Sequence, residues 1–287
     1  MLSSLFSQLN DFIDRGEIIT TDGYLKHCQE SGRATYIKRD FLFQDGLWRG
    51  EVQRSLLGKF LDGSRHSKIV IGHSDISTKV PHQLLAAAFG VRKIFGINLR
   101  PFGSLSNSLP LGLTNYCDDS ELHREIGDLN NLIEADKTSE YCHSFSPTYF
   151  ASFNVNTNTQ VRSQVLAILG KLQKPNRVIF TEIGYNKQML IPYLRNLRQI
   201  PFVICPEGNG VDTHRLWETL YMGGVPVVKE NDYLNAILKD LPVIVLPSWN
   251  KLNDLNFMHD SWVRIQESEW DFNKIGLSYW TKLIDSK

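Results

Sequence analysis

Short apolar runs alternate with amphipathic segments along most of this chain. Apolar runs of strand length, several rich in β-branched residues, lie at residues 68–72, 93–98, 177–181, 202–204, 225–228 and 242–246. Between them, apolar residues recur at helical spacing at residues 52–61, 84–89, 161–172, 185–197, 212–222 and 233–238. Because alternating strands and helices are typical of parallel sheets, the pattern predicts an α/β protein.

The ends of the chain and two other stretches complete the predicted elements. Residues 1–30 are predicted to be helical and residues 35–43 extended. Residues 153–158 are predicted to form a strand that runs into a polar loop. From residue 253 onward, apolar and aromatic residues recur at helical spacing, which indicates a helical tail.

A polar, charged stretch at residues 116–141 interrupts the alternation near the middle of the chain. It contains a predicted short helix and is the best candidate for a hinge. The chain therefore divides into an N-terminal α/β domain of residues 1–140 and a C-terminal α/β domain of residues 141–287. We expect two Rossmann-like domains that face each other across a cleft, since open α/β sheets bind ligands at the carboxyl ends of their strands.

Composition narrows the function classes. The 287 residues carry 31 Lys and Arg against 31 Asp and Glu, a formal net charge of zero, whereas nucleic-acid binders usually show a positive excess. No apolar run approaches the roughly 20 residues of a membrane span, and the N-terminal segment lacks the basic start of a signal peptide. We expect a cytoplasmic protein with no nucleic-acid partner and at most peripheral membrane contact.

The four cysteines argue against a metal or redox framework. They are far apart and form no C-x-x-C pair, which is unlike a zinc ribbon or a disulfide scaffold. Cys205, beside a glycine-rich loop, is expected to be a buried thiol at a strand end, with a nucleophilic role as the alternative.

The most informative stretch is residues 205–228, CPEGNGVDTHRLWETLYMGGVPVV. A strand leads into a loop with two glycines, then a helix at residues 212–222, a Gly-Gly stop and another strand. Asp212 and Thr213 are both suitable N-cap residues, and Gly223 is suited to the left-handed conformation that ends a helix. The glycines let a ligand approach the backbone, and the first helical turn presents free N–H groups. The loop (Gly208, Asn209, Gly210) and Thr213 are therefore a candidate anion site.

Arg215 and Glu218 lie three residues apart and so share one face of this helix. A guanidinium can bind a diphosphate through two hydrogen bonds, and a carboxylate one turn deeper can accept hydrogen bonds from ribose hydroxyls. The alternative is an ordinary surface ion pair.

The same stretch resembles the donor-site segment of exostosin-like glycosyltransferases and their bacterial capsule and lipopolysaccharide relatives. In that family the pattern runs Pro-Arg-Gly-Asn-Gly, His/Phe-Arg-x-Trp-Glu, a small-residue turn and Pro-Ile/Val-Val. The resemblance implies the two-domain GT-B fold, with the last helix packing back toward the N-terminal domain. It also implies that Arg215 meets the diphosphate of a nucleotide sugar and Glu218 its ribose. The chain departs from the pattern at Glu207, where the family has an arginine.

Weaker similarity to this family extends along the chain. A strand followed by His73-Ser74-Asp75, a strand ending in Asn98, and LPLGLTN at residues 109–115 resemble the acceptor-side domain of capsule-type enzymes. A Phe-x-x-x-Thr-x-x-x-x-Arg feature (residues 153–162) resembles the start of the donor domain. It implies that Asn156, Thr157 and Arg162 face the donor, the alternative being a turn-rich connector with a solvated arginine.

Glycosyl transfer with inversion needs a general base for the acceptor hydroxyl. Asp75 and, as the alternative, His73 are the candidates, because they follow a predicted strand end; both could equally cap the next helix. No isolated Asp-x-Asp motif is present, so we expect no metal. The expected partners are a nucleotide-sugar donor and a glycan or lipid-linked glycan acceptor.

Two other function classes stay open. The first is a carbohydrate- or nucleotide-binding protein without catalysis, which Glu207 in the loop favours. The second is a dinucleotide-dependent oxidoreductase, which fits less well because Thr213 replaces the third glycine of G-x-G-x-x-G.

Overall fold

The computed structural model describes residues 11–38, 67–73, 80–88, 90–142, 144–172, 178–180 and 187–286. Two predictions lie outside these ranges, namely the helix at residues 52–61 and the candidate base Asp75. Within them, strands alternate with helices and every sheet pairing is parallel, which confirms the predicted α/β class.

The described strands form two sheets. The first has the order β1-β2-β3-β4 and the second the order β6-β5-β7-β8-β9. The strands are β1 Thr35–Lys38, β2 Lys68–Gly72, β3 Lys93–Gly96, β4 Ser106–Ser108, β5 Tyr149–Ala151, β6 Val178–Phe180, β7 Phe202–Ile204, β8 Val225–Lys229 and β9 Ile244–Leu246.

Helices connect most of these strands, as parallel pairing requires. Several begin at a side-chain cap: Thr20 accepts a hydrogen bond from the Gly23 N–H and Asn231 from the Tyr233 N–H. The helices are α1 Thr21–Ser31, α2 Val80–Ala88, α3 Glu121–Ile126, α4 Leu129–Lys137, α5 Thr159–Leu172, α6 Lys187–Gln199, α7 His214–Met222, α8 Asp232–Leu238, α9 Leu255–Glu267 and α10 Leu277–Asp285.

One hydrophobic core runs through both sheets. It contains Val70 and Phe95 from the first sheet together with Phe150, Val203 and Val227 from the second. A smaller cluster covers the other face of the first sheet, because residues on either side of Val70 point to the opposite face. Its members include Ile69, Ile71 and Ile94.

Hydrogen bonds also join the two halves of the chain. The Asp212 carboxylate accepts from the Leu111 N–H (2.8 Å), and the Asp212 N–H donates to the side chain of Asn98 (3.0 Å). The Tyr221 hydroxyl accepts from the Ile19 N–H (2.9 Å) and donates to the Ile275 carbonyl (2.6 Å).

The last helix, α10, packs against the N-terminal half. Lys68 donates to the carbonyl oxygens of Ile284 (2.7 Å) and Ser286, and these carbonyls end the helix. Asp285 forms an ion pair with Arg33 (3.2 Å), and its Oδ1 lies 3.1 Å from His27 Nε2. A cation beside the final carbonyl groups complements the helix dipole.

The prediction of one helix over residues 1–30 is wrong within the described part. Residues 11–14 are helical, but the chain then turns at Gly16 and is extended before α1 begins at Thr21. Ile18 and Thr20 bridge to Gly276 and Leu113, respectively. These tertiary pairings override the helical pattern because Ile18 is buried in the core.

Two further local predictions need correction. The strand expected at residues 153–158 lies earlier, at β5, and Val155–Asn158 is a 3₁₀ turn that leads into α5. The polar strand β4, Ser-Asn-Ser, was not predicted because it lacks an apolar run; it pairs with β3 at the end of the first sheet.

Within the described ranges, no helix has both the length and the apolarity needed to cross a membrane.

Candidate functional site

A cavity of about 240 Å³ lies beyond the carboxyl ends of β5 and β7. These two strands are neighbours, and the order of the second sheet reverses between them. Such a switch point is where open α/β sheets bind ligands. The cavity is lined by Leu111, Thr114, Ile126, Thr157, Arg162, Leu190, Tyr193, Gly208, Asn209, Gly210, Asp212, Thr213, His214, Arg215 and Glu218.

The lining contains all but one of the residues that were predicted to face the donor. The glycine loop, helix α7 and helix α5 meet at one place. The residues that they contribute are up to 56 positions apart in the chain (Arg162 to Glu218). Thr157 also lines the cavity, whereas Asn156 is not among the lining residues.

The loop after β7 closes on itself and is held by the 3₁₀ turn that leads into α5. The Gly208 N–H donates to the Gly210 carbonyl (2.9 Å), and Asn158 donates to the Gly208 carbonyl (3.0 Å). A Cβ atom on Gly208 would lie 2.8 Å from Nη2 of Arg162. Position 208 therefore needs a glycine for the arginine to lie against the loop.

Arg162 is buried, so the alternative of a solvated arginine is wrong. Its Nε donates to the Glu207 carbonyl (3.0 Å), its Nη1 donates to the Asn154 carbonyl (2.8 Å), and its guanidinium lies over the Phe153 ring. Burial, with the nearby charge of Arg215, lowers the pKa of Arg162 to about 10. The group stays a cation near neutral pH.

Arg215 lies in the first turn of α7 and is 7% exposed. Its Nε has no hydrogen-bond partner within the described chain. No ion pair joins it to Glu218, and both side chains are buried, so the alternative of a surface ion pair is wrong. A buried donor without a partner is costly, which points to a group that the free protein lacks.

Glu218 lies one turn further along α7 and is 9% exposed. Its Oε2 accepts a hydrogen bond from the Tyr193 hydroxyl at 2.6 Å. Tyr193 projects from α6 and also lines the cavity. Burial and the adjacent carboxylate raise the pKa of Tyr193 well above its usual value, so the phenol remains a donor.

The capping prediction for this helix is partly wrong. The N-cap is Thr213, but its hydroxyl makes no capping bond, and its Oγ1 is a second buried polar atom of the cavity that lacks a partner among the residues the structure describes. Asp212 does not cap; its carboxylate accepts from Leu111, the Trp217 Nε1 (2.9 Å) and the Tyr233 hydroxyl (3.2 Å). Gly223 ends α7 in the left-handed conformation (φ 74°), as predicted.

The cavity lining carries two guanidinium groups, Arg162 and Arg215, and two carboxyl groups, Asp212 and Glu218. The start of α7 adds positive potential to the cavity, since helix N-termini attract anions. Glu207, which stands where the family has an arginine, contributes its carbonyl to Arg162, and burial raises the pKa of its carboxyl group. The arrangement is suited to a ligand with an anionic group and, one helical turn away, hydrogen-bond donors.

His73 belongs to a second polar cluster. Its Nε2 lies 2.9 Å from Asp22 Oδ1, its Nδ1 lies 2.6 Å from the Tyr36 hydroxyl, and its backbone is left-handed (φ 52°). Asn115, next to the cavity residue Thr114, donates to Thr21 and lies 3.3 Å from His73 Nε2. The cluster is thus linked to the cavity by one step along the chain, from Asn115 to Thr114, but it does not line the cavity.

Cys205 is buried, as expected. Burial raises the pKa of its thiol to about 12, so the thiolate that a nucleophile requires is not favoured. Across the described residues, no three His, Cys, Asp or Glu side chains are grouped so that they could hold a metal ion.

Sequence reasoning missed several lining residues. Tyr193 and Leu190 lie on α6, and Leu111, Thr114 and Ile126 come from the N-terminal half. No local motif marks Tyr193, because its partner Glu218 is 25 residues away.

Comparison with known proteins does not assign the chain to a group. No protein-family model matches it, and no curated protein matches it either.

Proposed function

We propose that the protein is a GT-B-type glycosyltransferase that transfers a sugar from a nucleotide-diphosphate donor to a hydroxyl acceptor on a glycan or lipid-linked glycan. The observation that carries the proposal is the composition of the cavity at the switch point. Arg162 and Arg215, two buried arginines without ion-pair partners among the described residues, share it with two carboxyl groups, Asp212 and Glu218. Asp212 already accepts hydrogen bonds from Leu111, Thr213 and Trp217, so Glu218 is the carboxylate that keeps accepting capacity for a ligand.

The donor is proposed to bind along α7. Its diphosphate meets Arg215, the Thr213 hydroxyl and the N–H groups of the first turn, while the ribose hydroxyls donate to Glu218. A guanidinium and oriented N–H groups stabilise the charge that develops on the leaving diphosphate. Since the guanidinium and the N–H groups supply that stabilisation, the reaction is proposed to need no metal.

The acceptor is proposed to approach from the N-terminal half. In this arrangement residues 1–140 and 141–287 form two domains, and LPLGLTN contributes Leu111 and Thr114 to the cavity. Asp75 or His73 would remove the proton of the acceptor hydroxyl, so that the attack inverts the sugar's anomeric centre. The His73–Asp22 contact is of the kind that orients a histidine base. The proposed place of action is the cytoplasm.

A thermal-shift panel of UDP, GDP, CDP, ADP, dTDP, NAD and NADP, with EDTA or with Mg²⁺, tests the proposal. A ligand that binds only the folded state raises the melting temperature. We expect a shift with one nucleoside diphosphate that is unchanged by EDTA. A shift with NAD or NADP alone would replace the transferase by an oxidoreductase, and no shift with any compound would contradict the site.

The second candidate is a nucleotide-sugar-binding protein without catalysis. Glu207 favours it, because an acidic side chain in the loop opposes a second anion. Incubation with the radiolabelled sugar nucleotide whose diphosphate gave the shift separates the two functions. Release of the nucleoside diphosphate, dependent on acceptor glycan, supports the enzyme, and binding without release supports the second candidate.

A further inference from the structure

Tyr193 and Glu218 form a buried pair in the wall of the cavity. Their side chains come from different helices, α6 and α7, and are 6% and 9% exposed. The Tyr193 hydroxyl donates to Glu218 Oε2 at 2.6 Å, a short contact of the kind that charged acceptors make.

Within the described chain, Tyr193 is the one hydrogen-bond donor to this carboxylate. Arg215, one helical turn away, does not pair with it. A carboxylate has about four lone-pair positions, so most of its accepting capacity is directed to the cavity. A group that lies beside it must bring O–H or N–H donors.

We propose that Tyr193 is a specificity-determining residue: by holding the Glu218 carboxylate in one orientation, it makes the cavity select nucleoside diphosphates with an intact ribose over their 2′-deoxy counterparts. This inference rests on the proposed function, since it specifies what the donor's sugar must carry.

The selection has a physical cause. A carboxylate that is free to rotate can turn to accept a hydrogen bond from the one hydroxyl that a 2′-deoxyribose keeps. A carboxylate held at Oε2 instead offers fixed positions to the two neighbouring hydroxyls of an intact ribose. A buried acceptor whose partner is missing loses a charge-assisted bond and remains desolvated, which makes hydrogen-bonding sites strongly selective. Because the pKa of Tyr193 is raised, the phenol donates to Glu218 throughout the neutral range.

Calorimetric titration of the parent protein and Tyr193→Phe with UDP, GDP, CDP, ADP and their 2′-deoxy forms tests the inference. We expect the parent to bind one ribonucleotide at least about tenfold more tightly than its deoxy form. Tyr193→Phe should weaken ribonucleotide binding by about tenfold and change deoxynucleotide binding by less than about twofold, so that the preference disappears. Tyr221→Phe, which removes a buried hydroxyl outside the cavity lining, should keep the preference.

Two results would overturn the inference in distinguishable ways. If Tyr193→Phe keeps the ribose preference, or weakens both forms equally, Tyr193 does not set specificity, while binding to the parent leaves the proposed function intact. If no nucleoside diphosphate binds the parent, the proposed function fails and the inference with it. Should Tyr193→Phe not fold, Glu218→Asp replaces it, because the shorter side chain withdraws the carboxylate from the Tyr193 hydroxyl without removing the charge; the same loss of preference is expected.

Discussion

Arg162 and Arg215 reach one cavity from two different helices, and neither forms an ion pair with a described carboxylate. Arg162 has two carbonyl partners, while the Nε of Arg215 has none in the described chain. Burial and, after it, the nearby charge of Arg215 lower the pKa of Arg162. The free protein thus holds an arrangement that an anion would stabilise, and such trade-offs between stability and function are common at binding sites.

Arg215→Met is expected to separate stability from binding. Without ligand, the variant should be more stable than the parent by about 1 kcal/mol or more, because a buried charge with no ion-pair partner among the described residues is replaced by an apolar chain of similar length. Protection by a nucleoside diphosphate should be lost. Urea unfolding and thermal shift measure the two effects. Arg264→Met, at an exposed position of α9, should change neither, and a less stable Arg215→Met that is still protected would refute the assignment.

Gly208→Ala is expected to weaken diphosphate binding through Arg162. The added methyl group would lie 2.8 Å from Nη2 of Arg162 and must displace the guanidinium from the loop. Gly170→Ala is the matched control, because its Cβ meets nothing within 4 Å inside α5. That variant should gain about 0.5–1 kcal/mol of stability, since alanine is the better helix former, and bind normally. Equal binding by the two variants, measured by calorimetry, would contradict the role of Arg162.

Glu207→Gln should raise stability in a pH-dependent way. Burial raises the pKa of Glu207 above its ordinary value of 4.5, so the folded protein binds this proton more tightly than the unfolded chain does. The carboxylate therefore lowers stability above the folded-state pKa, and this cost disappears as the pH falls below 4.5. The variant should exceed the parent in melting temperature at pH 7 and match it near pH 4, and it should bind the diphosphate more tightly. A difference that is constant with pH would exclude this mechanism.

Asp212→Ala is expected to destabilise the fold by about 3 kcal/mol or more, because it leaves several buried donors without an acceptor. These donors are the Leu111 N–H, the Thr213 N–H and the Trp217 indole. Chemical denaturation measures the loss. Asp260→Ala, whose side chain is 82% exposed, should lie within about 0.5 kcal/mol of the parent. A loss below about 1 kcal/mol for Asp212→Ala would show that water satisfies these donors in its place.

His73→Gln and Asp75→Asn identify the general base. Loss of the base should lower kcat by about 10²- to 10⁴-fold while the Kd for the donor nucleotide changes little, because neither residue is placed at the diphosphate. If His73 is the base, Asp22→Asn should also lower kcat, since Asp22 contacts its Nε2. Normal turnover in both His73→Gln and Asp75→Asn would exclude the pair.

The amino-acid sequence by itself determined the α/β class and the elements around the site. Strand β7, the glycine loop, helix α7 with its end at Gly223, and strand β8 lie within about two residues of their predicted positions. Each depends on local properties: β-branched apolar runs, helical periodicity and a glycine that accepts positive φ. The loop residues, Thr213 and Arg215 could be named for the same reason, since they are close together in the chain, whereas Arg162 was implied only by the resemblance.

The tertiary structure decided the features that depend on contacts between segments far apart in the chain, which the local sequence pattern does not show. Pairing of Ile18 and Thr20 with distant segments interrupts the predicted N-terminal helix, and pairing with β3 makes a strand of the polar residues of β4. Asp212 looks like a helix cap but accepts from Leu111, 101 residues away, and Tyr193 meets Glu218 across 25 residues. Periodicity and propensity report on neighbours within a few residues, whereas buried hydrogen bonds and sheet order depend on which segments the folded core brings together.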